Sequence, residues 1–273
     1  ALPDELATRK SEGNAAASDT IAGWPNPCQG ARSPWSSPGR QLFDPAGGRT
    51  VSISRRSRFH LALGSALGTA SIALTLAVRR DGPLYGEVGT THWVKDNTPS
   101  VVDLFADLID PVLTDIAAPL VFVAIVSAVW WRWGRYPAVL LGMAGACTGL
   151  TRVGDLVHRP RPTATVGWSD YSFGNGGYPS GHAVFVVLVL GTVAVLARHH
   201  STPRASKWIV GSMQLLIGLT LWSRVSRLEH WPLDVVGGGL MAAVGLVGIT
   251  WIHPRFATLA LNRPRLGRLL GLS

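Results

Sequence analysis

Six stretches of this chain are apolar for about 20 residues each, the length a helix needs to cross the hydrocarbon core of a bilayer. They fall at residues 59–78, 111–131, 137–153, 181–197, 207–223 and 233–253. A soluble domain can bury one such helix in its core. Six of them, in a chain that is 47% hydrophobic and only 15% charged, leave too little polar surface to cover the rest. The expected fold class is therefore all-α, a bundle of six transmembrane helices.

The formal charge of +9 is informative mainly through its placement. Cytoplasmic loops carry an excess of Lys and Arg. Arg55, Arg56 and Arg58 precede the first span, and Arg132 and Arg135 lie between the second and third. Arg198, Arg204 and Lys207 lie between the fourth and fifth, and Arg255, Arg263, Arg265 and Arg268 follow the sixth. All four groups share one side if both termini are cytoplasmic; Arg79 and Arg80 dissent. This topology accounts for the basic C-terminus without a nucleic-acid partner. It also puts the connections after spans one, three and five on the outer side.

Residues 1–54, rich in Gly, Ser, Ala, Pro and Arg, read as a disordered basic cytoplasmic tail. Residues 55–256 read as the membrane-embedded domain and 257–273 as a short basic C-terminal tail. No signal-peptide pattern stands at the N-terminus, so the first span is expected to serve as an uncleaved anchor. In the 79–110 connection, Val101, Val102, Leu104, Phe105, Leu108 and Ile109 have helical spacing and predict an amphipathic helix at the interface. Asp103, Asp107, Asp110 and Asp115 fit a solvated face with helix-start acids better than a cation site. Gly237, Gly238 and Gly239 would let a neighbouring helix come close. Trp168, Tyr171 and Trp231 suit the bilayer interface. Cys28 and Cys147 form no metal-ligand or disulfide framework, and Cys147 reads as a packing residue.

Charged and titratable groups beside greasy segments are costly and default to a functional reading. His230 and Asp234 are four apart, so on a helix they share a face, and the carboxylate can accept the proton of one ring nitrogen. The other nitrogen is then left bare as a nucleophile. Pro232 fits the first turn of that helix. Ser180 is suited to cap the fourth span, and helix N-termini bind anions through free backbone amides. Gly181 admits a close phosphate, and His182 stands in the first turn, placed to protonate a leaving oxygen. Arg159, Arg161 and Arg224 supply fixed positive charge that matches phosphate oxygens; singly, each could equally be snorkelling to the interface.

Together, Pro179-Ser180-Gly181-His182 and Ser223-Arg224 followed by His230 and Asp234 resemble the type-2 phosphatidic acid phosphatase family, whose site is shared with vanadium haloperoxidases. The family pattern is Lys-x6-Arg-Pro, Pro-Ser-Gly-His, then Ser-Arg-x5-His-x3-Asp. The last two blocks match at every fixed position, and the resemblance covers roughly residues 59–253. It implies a six-helix membrane enzyme with its site facing away from the cytoplasm. It implies His230 as nucleophile, Asp234 as its orienting carboxylate and His182 as general acid. It also implies Arg161, Ser180, Gly181 and Arg224 as phosphate holders, and neither metal nor cofactor.

The first block departs from the pattern. The lysine position, seven before Arg161, is Gly154. In the other register, Arg152 precedes Arg159-Pro160 by the same spacing. Two residues are about 200° of helix rotation, so Arg152 does not simply replace a side chain at 154. An irregular helix end, Arg159 in the lysine's role, or a weakened site all stand. The expected activity is hydrolysis of a lipid phosphomonoester or terminal diphosphate through a phosphohistidine, in a bacterial plasma membrane. Polyprenyl diphosphate, phosphatidylglycerol phosphate, phosphatidic acid and polyprenyl-phosphosugar phosphate are all open as substrates. The rival readings are an impaired homologue that binds lipid phosphate or a membrane partner, favoured by the missing lysine, and a transporter. Charges at span mouths on one side, rather than at mid-membrane, argue against the transporter.

Overall fold

The computed structural model describes residues 55–79, 82–113, 117–149, 151, 157, 159–162 and 176–272, without the Arg56 side chain. The expected N-terminal tail, Arg152, Gly154, Trp168, Tyr171 and Asp115 lie outside the described residues, which belong to the unit Arg55–Ser273. Nine helices are described: α1 (Arg55–Val78), α2 (Glu87–Asp96), α3 (Ser100–Ile109), α4 (Ala117–Trp133), α5 (Arg135–Ala146), α6 (Gly181–His200), α7 (Pro203–Ser226), α8 (Pro232–Leu261) and α9 (Pro264–Leu270). A 3-10 turn, Pro111–Leu113, follows α3, and no β-strand occurs among the described residues.

The elements start where local chemistry says they should. Ser180 caps α6 by accepting the amide hydrogen bond of Ala183 at 3.4 Å, and Thr202 caps α7 by accepting that of Ala205 at 3.4 Å. Pro203 and Pro232 occupy first helical turns, where a missing N–H is harmless. Gly134, at φ +94°, makes the break between α4 and α5 in a region closed to most side chains.

All six apolar runs fall on helices α1, α4, α5, α6, α7 and α8, but not all are full spans. Four helices are long and apolar enough to cross a membrane: Ser57–Val78, Gly181–His200, Pro203–Ser226 and Pro232–Leu261. A fifth span results if Ser100–Leu113 and Ala117–Trp133, bent by 90°, count as one broken crossing. The predicted third span is cut short. α5 has 12 residues, about 18 Å of helix against a core of about 30 Å. Past its end, Thr148 Oγ1 donates to the Gly145 carbonyl at 2.6 Å and Thr151 Oγ1 to that of Thr148 at 3.0 Å. From Cys147 to Gly149 the chain tightens into a 3-10 turn.

α6 packs along α7 and α8, and α1 packs along α8. Outside this core the surface is greasy: Phe59, Ile72, Leu76, Leu120, Trp131 and Trp208 are each more than half exposed. In water such a belt is an aggregation site, whereas in lipid it is the solvated face. The chain is a multi-pass membrane protein.

Its two ends differ. At one, Arg255 Nη2 donates to Ser57 Oγ (2.8 Å) and Tyr136 OH to the His253 carbonyl (2.6 Å). At the other, Thr75 Oγ1 and Tyr178 OH are hydrogen-bonded at 2.8 Å, and Ser180 N donates to the Asp234 carbonyl at 3.1 Å. α1 therefore runs antiparallel to α8. The predicted interfacial helix is α3, with Val102 and Ala106 buried and Val101, Leu104 and Leu108 exposed. Of the three glycines in α8, two meet neighbours. Gly237 lies against the Tyr178 ring, and a Cβ on Gly238 would stand 2.7 Å from the Ser180 carbonyl oxygen. The short basic C-terminal tail is helical. α8 runs on to Leu261, and α9 folds back to bury Leu270 in the core cluster of Val129, Tyr136 and Ala260.

Candidate active site

The sequence blocks meet at the end where α6 and α8 begin and α7 ends. The α7–α8 corner is closed by the backbone amides of Glu229 and His230, both donating to the Arg224 carbonyl at 3.1 Å. Leu228 inside it takes φ +59°, a left-handed conformation uncommon for a residue with a side chain. This tight corner brings His230 against the segment before α6. A ring nitrogen of His182, a ring nitrogen of His230 and a carboxylate oxygen of Glu229 lie within 4.8 Å of one another.

His230 is only 3% exposed. Its Nδ1 lies 2.7 Å from the Gly177 carbonyl oxygen, which can only accept, so Nδ1 carries the proton and Nε2 is bare. Burial first, then the Arg161 guanidinium, with smaller effects of His182 and Arg224, pushes the imidazole down to about 3 against the opposing Gly177 bond. The ring is therefore neutral at pH 7, the form that attacks an electrophile. In ¹⁵N-histidine spectra of the detergent-solubilised protein, His230 is expected to remain a neutral Nδ1–H tautomer at pH 5. Titration of this ring near 6.5 would contradict the geometry.

Asp234 does not make the expected hydrogen bond to His230. The nearest approach, Oδ2 to Nδ1, is 3.9 Å, too long for a hydrogen bond. The reason lies in its helix position. As the third residue of α8, Asp234 accepts the Trp231 backbone amide on Oδ2 at 2.8 Å and Arg159 Nη1 on Oδ1 at 2.6 Å. Gly177 takes the orienting place, and its own amide donates to the Arg159 carbonyl at 2.7 Å.

Arg159 is also placed differently from the phosphate-holding role expected for it. It is wholly buried, with one Nη on Asp234 and the other on Glu87. Glu87, 5% exposed, also accepts the backbone amides of Leu84 (2.6 Å) and Leu233 (3.1 Å). A carboxylate–guanidinium–carboxylate chain thus runs beneath His230 and ties α2 to the start of α8. Trp231, expected at the interface, is 4% exposed, with Nε1 donating to the Pro160 carbonyl at 2.9 Å. Its indole N–H finds this partner because the Arg159–Pro162 segment passes directly over it.

The remaining predicted residues surround the opening. Ser180 is buried as the α6 cap, Gly181 is exposed, and His182 is half-buried beside them. Arg161 is exposed and close enough to act on the His230 ring. Arg224, 1% exposed, donates Nη1 to Glu229 (2.6 Å) and Nη2 to Asp110. Asp103 and Asp107, 52% and 63% exposed, lie on the solvated face expected for them and also pair with Arg227, while Asp110 pairs with Arg224. Glu87, Gly177 and Glu229 were not singled out from the sequence. Only the place of Glu229 next to His230 gave any signal.

By distance, His182, Glu229 and His230 could together hold a metal ion. Used as imidazoles, the same pair offers a bare nitrogen to attack phosphorus and a second ring to pass a proton, with Arg161 and Arg224 close by for anionic oxygens.

Residues 133–257 match the sequence model of the PAP2 superfamily. The fold is similar to a crystal structure described as the first transmembrane PAP2-type phosphatidylglycerolphosphate phosphatase from Bacillus subtilis. The TM-score is 0.55 at 16% sequence identity, covering 70% of this chain and 96% of that one. No curated protein matches the chain.

Proposed function

Because residues 133–257 match the PAP2 superfamily and the fold is similar to a transmembrane PAP2-type phosphatase, we propose that the chain is a PAP2 member and an integral-membrane lipid phosphatase acting on a phosphomonoester or the terminal phosphate of a lipid diphosphate. The observation that carries this reading is the convergence of His182 and the neutral His230 at a bundle end that also holds Arg161 and Arg224. His230 Nε2 attacks phosphorus, and the bond from phosphorus to the lipid oxygen breaks. Protonated His182 supplies the proton that oxygen needs, which leaves a phosphohistidine. Water then attacks phosphorus, His182 takes a proton from it, and the P–N bond breaks to release inorganic phosphate. Arg161 neutralises the phosphoryl oxygens from the start. Arg224 joins when the phosphate draws it from Glu229 and Asp110, both about one third exposed and free to move aside. Asp234, 3.9 Å from Nδ1, offsets the positive charge of the phosphorylated ring without a hydrogen bond to it.

The substrate class follows from the chemistry. A terminal phosphate presents three oxygens to the cations, and its carrier lies in the bilayer. Phosphatidylglycerolphosphate, named for the Bacillus subtilis protein, is one candidate and a polyprenyl diphosphate another. Purified protein is expected to release phosphate from at least one member of a panel of lipid phosphates, undiminished by EDTA, because a metal bound to His182 and His230 would block both roles. Turnover lost in EDTA and restored by Mg²⁺ would contradict the mechanism. Phosphate binding without release on any substrate would favour the binding-only reading, to which the Glu229 and Asp110 contacts of Arg224 lend weight.

The site end faces away from the cytoplasm in this reading, as the basic residues gather at the other end. With Cys28 and Cys147 changed to Ser, a cysteine at Lys95 is expected to react with an impermeant reagent in intact cells, and one at Arg204 only after lysis. The reverse pattern would overturn the orientation.

A further inference from the structure

Every described carboxylate lies within residues 87–110 or 229–234, at the end that holds His182 and His230. Among the described residues the charged side chains at the other end are cations, and there α8 and α9 line a groove of about 710 Å³ with Leu259, Arg263, Pro264, Arg265, Leu266 and Arg268. The groove has fixed walls. Leu266 and Leu270 of α9 pack against the Tyr136 cluster, and Arg135 Nη1 donates to the Leu269 carbonyl at 3.4 Å. Among the described residues none of its three guanidiniums forms an ion pair; Arg268 Nε donates to the Pro264 carbonyl at 3.4 Å.

We propose that this groove binds the headgroup phosphate of an anionic phospholipid in the leaflet opposite His182 and His230. Three arginines around one concavity repel each other until an anion enters, and guanidinium forks match phosphate oxygens. Height identifies the source of that anion. Leu259 stands 27 residues along α8 from Pro232, roughly 40 Å at 1.5 Å per residue, which is about the thickness of a bilayer with its headgroups. Leu259 and Leu266 add an apolar wall beside the guanidiniums, which suits the glycerol and upper acyl part of a lipid and for which a free phosphate has no use. The inference rests on the membrane placement and is independent of the catalytic reading.

The test is native mass spectrometry of the purified full chain with phosphatidylglycerol or phosphatidylcholine. Wild type is expected to retain the anionic lipid at least about tenfold more strongly, with the preference falling as salt rises. The Arg263→Gln/Arg265→Gln/Arg268→Gln variant loses the preference, whereas Arg161→Gln/Arg224→Gln at the other end keeps it. Inorganic phosphate at millimolar concentration does not displace the lipid. Should the triple variant fail to fold, Arg263→Gln and Arg265→Gln, whose side chains make no described bond, each weaken it in part. Equal retention of both lipids, an unchanged preference in the groove variants, or displacement by inorganic phosphate overturns the proposal.

Discussion

His230→Ala is expected to lose turnover on every substrate, by about 10⁴-fold or more, since no other described side chain is placed to attack in its stead. His182→Ala is expected to behave differently. Without a proton donor the lipid alkoxide is a poor leaving group, and general acids are typically worth about 10²–10⁴-fold. An aryl phosphate leaves without that help. His182→Ala should therefore recover the first step on aryl phosphate relative to lipid phosphate, read as a burst of aryl alcohol before slow dephosphorylation, while His230→Ala recovers none. Asp234→Asn should fall between them. It keeps the ring held by Gly177 but removes a negative charge 3.9 Å from Nδ1 and weakens the pairing with Arg159. Equal rescue of both histidine variants by the aryl substrate would overturn the division of roles.

Arg159→Ala is the second large effect, and it is one of stability. The substitution strands two buried carboxylates, Glu87 and Asp234, whose partner sits at 0% exposure. Breaking a buried ion pair from one side costs about 3–5 kcal/mol, which corresponds to a fall in detergent Tm on the order of 10 °C. Arg159→Ala combined with Glu87→Gln should recover part of that loss, because one uncompensated charge disappears. Arg227→Ala is the contrast: that side chain is 32% exposed and its partners Asp103 and Asp107 more so. Such pairs are worth about 0–1 kcal/mol, so its Tm should barely move. If Arg159 bound phosphate instead, its loss would raise KM with Tm nearly unchanged.

These two predictions mark where the sequence was legible and where it was not. The histidines, Arg224 and the Ser180 cap stand in fixed local patterns, and helix geometry carries such patterns to a shared face. The same pattern misled on the His230–Asp234 bond. A four-residue spacing places side chains together, but it does not say that Asp234, in the first turn of α8, is taken up by the Trp231 amide and by Arg159. Glu87 lies 72 residues from Arg159 and inside a connection whose only evident pattern was the later apolar helix. Its role comes from tertiary packing, which no local spacing encodes. The short α5 was also hidden, since hydropathy reads through residues 147–149, where the chain tightens into a 3-10 turn. Trp231 was ambiguous by nature. An indole suits an interface or a buried carbonyl equally well, and here the Pro160 carbonyl decides.

The central claim is that a neutral His230, held by the Gly177 carbonyl, becomes phosphorylated. The direct measurement is rapid quench of the enzyme turning over a lipid phosphate, followed by mass spectrometry of its peptides under conditions that preserve a P–N bond. The account predicts phosphate on His230 during turnover, none without substrate, and accumulation relative to wild type in His182→Ala with an aryl phosphate, since water then attacks without a base. Phosphate on any other residue, or full turnover with His230 never modified, would contradict it.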